Sequence, residues 1–590
     1  MGIGGGGKVP STSNTIWRRE WRSSRRLPGV LVFVLLALGA VRIVATYHVL
    51  SQAADEPATI AAGMEWLDKG TYNLDPLHPP LARVAAAVGP FLDGRRLPQG
   101  QVIERGPEFS IFKVGNEIFY EGGRYWRTLA LARLSMLPFF AFGVAIVFFW
   151  GRRIDGNVAG LLGVFFFTSL PAILAFAGFA YTDMPVGVLI AGSAFMFVRW
   201  LDLPSMQNSI LFGVLTALAL LSKFTALLFL PACWVAIVFC WIGTNQRREW
   251  RLYFRQAVWI VLTFFVIFWG GYRFSVAPLK TVFLNPGQDI HALHVPQPVK
   301  RLLYFAVDKP IPAPAFFKGV TASIRSGAVV GRPSYLLGEI RQTGWWYFFI
   351  VAIGVKTPLA FLLLGVLGLF LSLMRGLKER NWQLAAPGAC IVAILVATFP
   401  ARVNYGVRHI LCIYPFLSVM AAYGGTKIYE QRERWGLQGR VALTGLLAWH
   451  LLVTSHVHPD YVTYFNELAG RQPQKILMWG CDYDCGQDVA RLARLLGERK
   501  IQHVTLGVFG NNDFKRSGLP PFENLDPYQR PKGWVAASVR IVETGDAFLG
   551  GSHRDAFQWL SACKPLARAG ETIYLYEVPC GSSDSVVSNP

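Results

Sequence analysis

Val30–Tyr47 reads VLVFVLLALGAVRIVATY, an apolar run interrupted only by Arg42. A run of that length spans the hydrocarbon core of a bilayer. Arg18, Arg19, Arg22, Arg25 and Arg26 precede it, and the positive-inside rule keeps that basic tail in the cytoplasm. About eight residues beyond the far end of the run stands the acidic pair Asp55-Glu56, followed by His78-Pro79-Pro80-Leu81. Carboxylates beside a bilayer are costly and are usually functional when they face a cavity. The order of tail, span, acidic pair and His-Pro-Pro-Leu predicts chemistry at an outer membrane face, on a lipid-carried substrate.

Composition agrees. The chain has 590 residues, 53% of them hydrophobic, with a mean hydropathy of +0.36, which excludes a soluble multidomain protein. Only 16% of residues are charged, yet the net charge is +21. The Lys and Arg residues cluster in short connections between apolar runs, where they act as topology signals and headgroup contacts. Nucleic-acid binding is set aside for that reason. The first run has no small-x-small cleavage site and reads as a retained signal anchor.

Further runs of spanning length fall near 129–150, 157–175, 184–200, 209–222, 224–242, 256–274, 346–373, 383–399, 407–425 and 440–457, about eleven spans with the first. The short run at 209–222, punctuated by Lys223, predicts a tight turn at the membrane surface. An odd count places the amino terminus inside and the tail outside, in a multi-pass arrangement suited to a bacterial cytoplasmic membrane. Charge supports this orientation. Inner connections carry Arg152-Arg153, Arg247-Arg248, Arg375 with Lys378, and Lys427 with Arg432, whereas the outer connection 176–183 has no Lys or Arg. The expected organisation is a cytoplasmic basic tail (1–27), a membrane domain (28–457) with outer loops at 48–128 and 275–345, and an extracytoplasmic α/β domain (458–590). Ala58–Lys69, flanked by Pro57 and Gly70, predicts a helix lying at the interface. In the tail, strands are expected at Lys475–Trp479, His503–Phe509, Trp534–Val542 and Thr572–Val578, and helices at Gln487–Arg499 and Arg554–Ser561.

Polar residues in apolar surroundings are Asp55, Glu56, His78, Asp183, Lys223, Lys356, Arg402, Arg408 and His409. Singly, each has a bland reading: a Lys near a span end snorkels, and an acid outside a span is solvated. Collected at one side they are harder to dismiss, since a charge inside a membrane costs about 2.5–3.5 kcal/mol on insertion scales and is normally paired. Carboxylates with cations around them suit an anionic lipid-linked phosphate and a nucleophile that must lose a proton.

The chain resembles polyprenyl-phosphate-dependent glycosyltransferases of the GT-C superfold, in particular the protein O-mannosyltransferase-like group, glycosyltransferase family 39. The resemblance covers most of the chain. It rests on Asp55-Glu56, His78-Pro79-Pro80-Leu81, Thr182-Asp183-Met184-Pro185 and Leu221-Ser222-Lys223-Phe224-Thr225. It continues through Ile311-Pro312-Ala313-Pro314, Tyr335-Leu336-Leu337-Gly338-Glu339, Val355-Lys356-Thr357-Pro358-Leu359, Tyr405-Gly406-Val407-Arg408-His409, and His458-Pro459-Asp460-Tyr461 with Tyr464-Phe465-Asn466-Glu467.

The resemblance implies that Asp55 is the catalytic carboxylate, accepting a proton from the acceptor hydroxyl as that oxygen attacks the anomeric carbon, with inversion. Glu56 would orient the acceptor or ligate a metal, with a solvated helix-start acid as the alternative. Arg408 and His409, then Lys223 and Lys356, would stabilise the leaving phosphate. His78 would bind phosphate or donor sugar, or else be a structural residue of the Pro-Pro turn, and Asp183 matches a second acidic position near the site. No cofactor is required by these residues, although Asp55, Glu56 and His78 could hold one divalent cation. Implied partners are a lipid-linked sugar donor, a protein or glycolipid acceptor, and membrane lipids.

Two departures stand out. Phe176 follows Leu174-Ala175, where the family often has His. Cys481-Asp482-Tyr483-Asp484-Cys485-Gly486-Gln487-Asp488 replaces a pattern that usually reads Ser-Asn-x-Asp-Trp-Gly-Gln-Asp. Two Cys gained together in an oxidising compartment suggest a Cys481–Cys485 disulfide, with Cys563 and Cys580 as a second pair and a zinc site as the rival. Within the enzyme class the runner-up is a transferase of the same fold that modifies lipid A or another glycolipid. From a different class, a lipid-linked sugar transporter or flippase would need charges spread through the membrane depth, and the inner halves of these spans are nearly free of acidic residues.

Overall fold

The computed structural model describes residues 26–98, 107–243, 249–283, 286–292, 295–329, 333–430, 432–545 and 556–579. The basic residues before Arg26, the Arg247-Arg248 connection and Cys580 lie outside the described residues.

The protein is a helical membrane protein. Five of its described helical stretches are long and apolar enough to cross a membrane: Leu27–Val44, Tyr125–Ser169 (interrupted after Leu134 and again at Asp155-Gly156), Asp183–Asp202, Trp250–Gly271 and Leu359–Lys378. Shorter apolar helices occupy Met206–Ser222, Ala226–Ile242 and Trp382–Thr398, and Ile413–Glu430 and Arg432–His456 follow. Burial orders them. Asp183–Asp202 is 89% buried and sits at the centre, whereas Trp250–Gly271 is 6% buried and presents its apolar side chains outward, as a lipid-facing helix must.

Several runs are broken where backbone chemistry requires it. The run 346–373 is two helices, Phe348–Lys356 and Leu359–Lys378, because Pro358 lacks the N–H a continuous helix needs. The runs 129–150 and 157–175 meet in a tight reversal at Asp155 and Gly156, the latter at φ 77°. The turn expected at Lys223 is present, with Lys223 extended between Met206–Ser222 and Ala226–Ile242. Leu359–Lys378 and Ile413–Glu430 approach through glycines. A Cβ on Gly368 would lie 1.8 Å from the Met420 carbonyl oxygen, and one on Gly424 would lie 2.3 Å from that of Leu364.

The helix expected at the interface is instead core. Glu56–Asp68 has Glu56 through Glu65 buried, and a Cβ on Gly63 would fall 2.0 Å from the Arg83 carbonyl oxygen. Its small side chains (ATIAAG) offer no broad apolar stripe to a bilayer but let Pro80–Leu92 and Pro107–Tyr120 come close.

In the tail, five strands form one sheet in the order Phe522–Asn524, Val504–Gly507, Gly533–Ser538, Ile573–Val578, Ala567–Ala569. Val504–Gly507 pairs parallel with both neighbours, and Ile573–Val578 runs antiparallel to both of its own. Val489–Glu498 places Leu492 and Leu496 against this sheet. The expectations near 503, 572 and 487 meet these elements. The strand expected at Lys475–Trp479 is absent. Pro473–Lys475 is a single 3₁₀ turn, and the apolar residues after it, Leu477 and Met478, are buried without pairing in the sheet. The strand near 534 ends at Ser538, where a short helix, Val539–Thr544, begins. The helix expected at Arg554–Ser561 is, in its described part, a 3₁₀ turn at Gln558–Ala562.

Candidate active site

The chain from Ser51 to Asp55 leads into the Glu56–Asp68 helix and is held by the tail. The Ser51 amide donates to the Gln487 carbonyl (2.8 Å), the Ala54 amide to the Cys485 carbonyl (2.8 Å), and Asn511 Nδ2 to the Ala54 carbonyl (2.9 Å). Asp55 occupies the helix N-cap, but its side chain makes no capping bond. The carboxylate turns outward, 46% exposed, and Oδ2 accepts a hydrogen bond from Arg408 Nη1 at 2.7 Å. Burial raises the Asp55 pKa, but the charge and hydrogen bond of Arg408, with His78 and Lys223, outweigh this and hold it below the ordinary carboxylate value.

Arg408 lies in the 3₁₀ turn Val407–Ile410. The turn starts at Gly406 (φ 67°), where a Cβ would fall 2.5 Å from Asp482 Oδ1, the same oxygen that accepts the Val407 amide at 2.9 Å. The guanidinium lies 5.3 Å from the centre of the Tyr181 ring and 4.0 Å from Asp183 Oδ2. Its buried Nε has no hydrogen-bond partner among the described residues. Asp183, in the first turn of its helix, is paired with Lys223 Nζ at 2.6 Å. Asp55, Arg408, Asp183 and Lys223, spread across 353 positions of chain, thus form one connected cluster at the end of the bundle that meets the tail.

Two sequence-derived assignments are corrected. The Glu56 side chain is fully buried in a bidentate pair with Arg133 (2.8 and 2.9 Å), and its oxygens also accept the amides of Ala53 (2.7 Å) and Ala180 (2.8 Å). With its acceptor positions filled it cannot reach an acceptor substrate or a metal. The metal set Asp55, Glu56 and His78 therefore does not converge, and no group of three His, Cys, Asp or Glu among the described residues is placed to hold an ion. Lys356 is not presented to a phosphate either. Its buried ammonium donates to the carbonyls of Val462 and Asp482, each at 2.6 Å, and lies 4.1 Å from the centre of the Phe465 ring.

His78 sits with its Nδ1 2.9 Å from Arg83 Nη2, in a cluster completed by the Asp75–Arg83 ion pair. The field of that histidine still reaches Asp55. His409 packs edge-on to Tyr405 at 5.5 Å, and Arg402 is exposed. Phe176 is buried in the helical core. The disulfide Cys481–Cys485 is present. Cys563 is also disulfide-bonded, while its expected partner Cys580 lies outside the described residues.

Residues that the sequence did not single out complete the surroundings. Arg133 locks Glu56. Tyr181 accepts the Asp55 amide at 3.1 Å through its hydroxyl. Arg540, from the tail, is buried between Trp479 and Phe509, with ring centres 4.3 and 3.8 Å away, and its charge is felt by Asp484, Arg408 and Asp55. A buried arginine within a strand-like stretch was the signal available for Arg540. Arg133 lay inside an apolar run and was legible there as an intramembrane charge.

The chain matches no family model. A 70-residue segment, 11% of the chain, is 42% identical to the uncharacterized protein DP63R of African swine fever virus (isolate Warthog/Namibia/Wart80/1980) and covers 94% of it. That segment is related to DP63R in sequence, and no activity comes with the likeness. Among solved structures, ArnT from Cupriavidus metallidurans bound to undecaprenyl phosphate is 14% identical at a TM-score of 0.46, over 92% of this chain and 97% of that one. The archaeal oligosaccharyltransferase AglB from Archaeoglobus fulgidus, in complex with an inhibitory peptide and a dolichol-phosphate, is 12% identical at 0.46, over 93% and 73%. The Saccharomyces cerevisiae protein O-mannosyltransferase Pmt1-Pmt2 complex bound to the sugar donor is 16% identical at 0.32, over 44% and 35%. The likeness is long but shallow. At TM-scores under 0.5 it carries no weight for the activity, and the assignment rests on this chain's own residues.

Proposed function

We propose that this protein is a GT-C glycosyltransferase of about eleven spans that moves one sugar from a polyprenyl-phosphate carrier to an acceptor hydroxyl or amine at the outer face of the cytoplasmic membrane. The observation that carries this reading is the Asp55–Arg408 pair: a half-exposed carboxylate joined at 2.7 Å to a guanidinium that retains an unpartnered buried donor, beside Lys223 and Asp183. A carboxylate alone would suit many sites. A carboxylate that shares its cation with an incoming phosphate suits transfer from a lipid phosphate.

In the resting pair Asp55 is ionised and weakly basic. A donor phosphate beside Arg408 takes over part of the guanidinium by exchange at Nη1, and Asp55 regains basicity as that bond is lost. The acceptor oxygen then bonds to the anomeric carbon while the bond from that carbon to the phosphate oxygen breaks. The electron pair leaves on the polyprenyl phosphate, stabilised by Arg408, and the hydroxyl proton passes to Asp55. One displacement inverts the anomeric centre. Glu56 and Lys356 act behind this site, holding Asp55 and Asp482 in place.

The mannosyl character of the donor and a protein acceptor, as opposed to a glycolipid, belong to the same proposal and rest on the motif resemblance. The test is incubation of purified protein with defined polyprenyl-phosphate sugars, followed by mass analysis of glycolipids and proteins. A new hexose or pentose on either class, absent with Asp55→Asn, supports the reading. Transfer at the wild-type rate by Asp55→Asn overturns the role given to Asp55.

A further inference from the structure

The segment 481–488 holds the residue immediately before each partner of the Asp55–Arg408 pair. At one end the Asp482 carboxylate accepts the amide of Val407, the residue before Arg408, at 2.9 Å. At the other the Cys485 carbonyl accepts the amide of Ala54, the residue before Asp55, at 2.8 Å, and the Gln487 carbonyl accepts that of Ser51 at 2.8 Å. A third contact runs through Tyr181. Its hydroxyl accepts the amide of Asp55 itself at 3.1 Å and lies 3.7 Å from Cys481 Sγ. Between the two ends the chain is closed by the Cys481–Cys485 disulfide, with Cα atoms 4.8 Å apart.

This bond is poorly placed to act as a general staple. It closes a loop of only a few residues, the case in which a crosslink removes least entropy from the unfolded chain. Both cysteines are buried, with Cys485 fully so. Cys481 also adopts φ 68°, a backbone state that side chains disfavour and that persists only where the surroundings impose it. What the bond does fix is the distance between the carbonyl that holds Ala54 and the carboxylate that holds Val407.

We propose that the Cys481–Cys485 disulfide is a positioning device, a closed strap that sets the separation of the Asp55 carboxylate from the Arg408 guanidinium. The inference deepens the proposed function and rests on Asp55 as proton acceptor. Misplacement of reacting groups by about 1 Å can cost roughly a hundredfold in rate, so a loosened strap affects turnover more than global stability.

The test uses the full-length protein in detergent or nanodiscs and has a readout independent of activity. In Cys481→Ser/Cys485→Ser, hydrogen exchange in peptides covering 51–56 and 405–409 accelerates in both, about tenfold or more, because both amides lose their anchors. A peptide within Ile413–Glu430 keeps its wild-type rate. Turnover falls about tenfold to a hundredfold, and the acidic limb of the pH–rate profile moves upward, because Asp55 loses the cation that depresses it. Unchanged exchange at both loops, or an unchanged acidic limb, overturns the proposal.

Should the double variant fail to fold, Asp482→Ala decides. It leaves the disulfide intact, removes the acceptor of the Val407 amide and is expected to speed exchange at 405–409 with the same upward shift of the acidic limb. Wild-type exchange and profile in that variant also overturn the strap. Asp55→Asn is measured alongside. If it still transfers sugar, the proton-acceptor assignment fails whatever the amides do. If it is inactive while the strap variants behave as wild type, only the strap fails.

Discussion

Asp55 and Glu56 are chain neighbours with opposite surroundings, and mutation should separate them. Asp55 is half-exposed and joined to one cation, so Asp55→Asn should lower turnover by about 10²–10⁴-fold with little loss of thermal stability, read from kinetics and melting of the same preparation. Glu56 is buried against Arg133 with its acceptor positions filled. Glu56→Gln leaves an uncompensated guanidinium in the core and should cost about 3–5 kcal/mol, seen as a large fall in melting temperature. A Glu56→Gln protein of wild-type stability would contradict the burial argument. In sequence the motif resemblance separates their roles, but the burial of Glu56 leaves no local mark, since its partner lies 77 residues away. Lys356 was misread for a similar reason: its partners are backbone carbonyls, which leave no mark in a sequence. Asp55, Asp183, Lys223 and Arg408 were legible because a charge among apolar residues needs a reason.

At the scale of elements, the apolar helices were the most legible part, because lipid demands long runs without charge. Short apolar stretches were not. Lys475–Trp479 has the composition of a strand, yet Leu477 and Met478 are buried in an irregular segment. Ala58–Lys69 has the flanks of a surface helix, yet the close approach of Arg83 to Gly63 makes it core. Hydropathy reports what is buried, not against what. The glycine contacts between Leu359–Lys378 and Ile413–Glu430 are of the same kind, and they make a prediction. Gly368→Leu places carbon where the Met420 carbonyl stands, and neither backbone can give way without separating the helices. The expected cost is about 1–3 kcal/mol or more, measured as a fall in melting temperature in detergent, with Gly354→Ala, whose Cβ meets open space, as the silent control.

Across the whole molecule, the tail is part of the site, because segment 481–488 lies between the loops carrying Asp55 and Arg408. It brings buried acids whose titration opposes that of Asp55. Burial pushes Asp484 up to about 7 against the pull of the Gly486 amide and Arg540, and pushes Asp488 up to about 6 against Arg491. A carboxyl whose folded pKa lies above its unfolded value, about 3.9, holds its proton more tightly in the fold. Its contribution to stability is complete below that unfolded value and is lost as pH rises through the folded one. Asp55 has the opposite sign: its contribution is present above the unfolded value and is lost as pH falls through its depressed folded pKa. His78 and His458, held below the usual imidazole value by burial, destabilise the fold as pH falls and so mask the overall slope. The informative quantity is therefore a difference between proteins. Between pH 5 and pH 8 the wild type should lose stability relative to Asp484→Asn, which keeps the side-chain oxygen facing the Gly486 amide but has no proton to release. Melting temperatures of both proteins at the two pH values measure this. Parallel changes would mean that Asp484 titrates as an ordinary exposed carboxylate, and that the tail is packed less tightly on the site than its buried acids require.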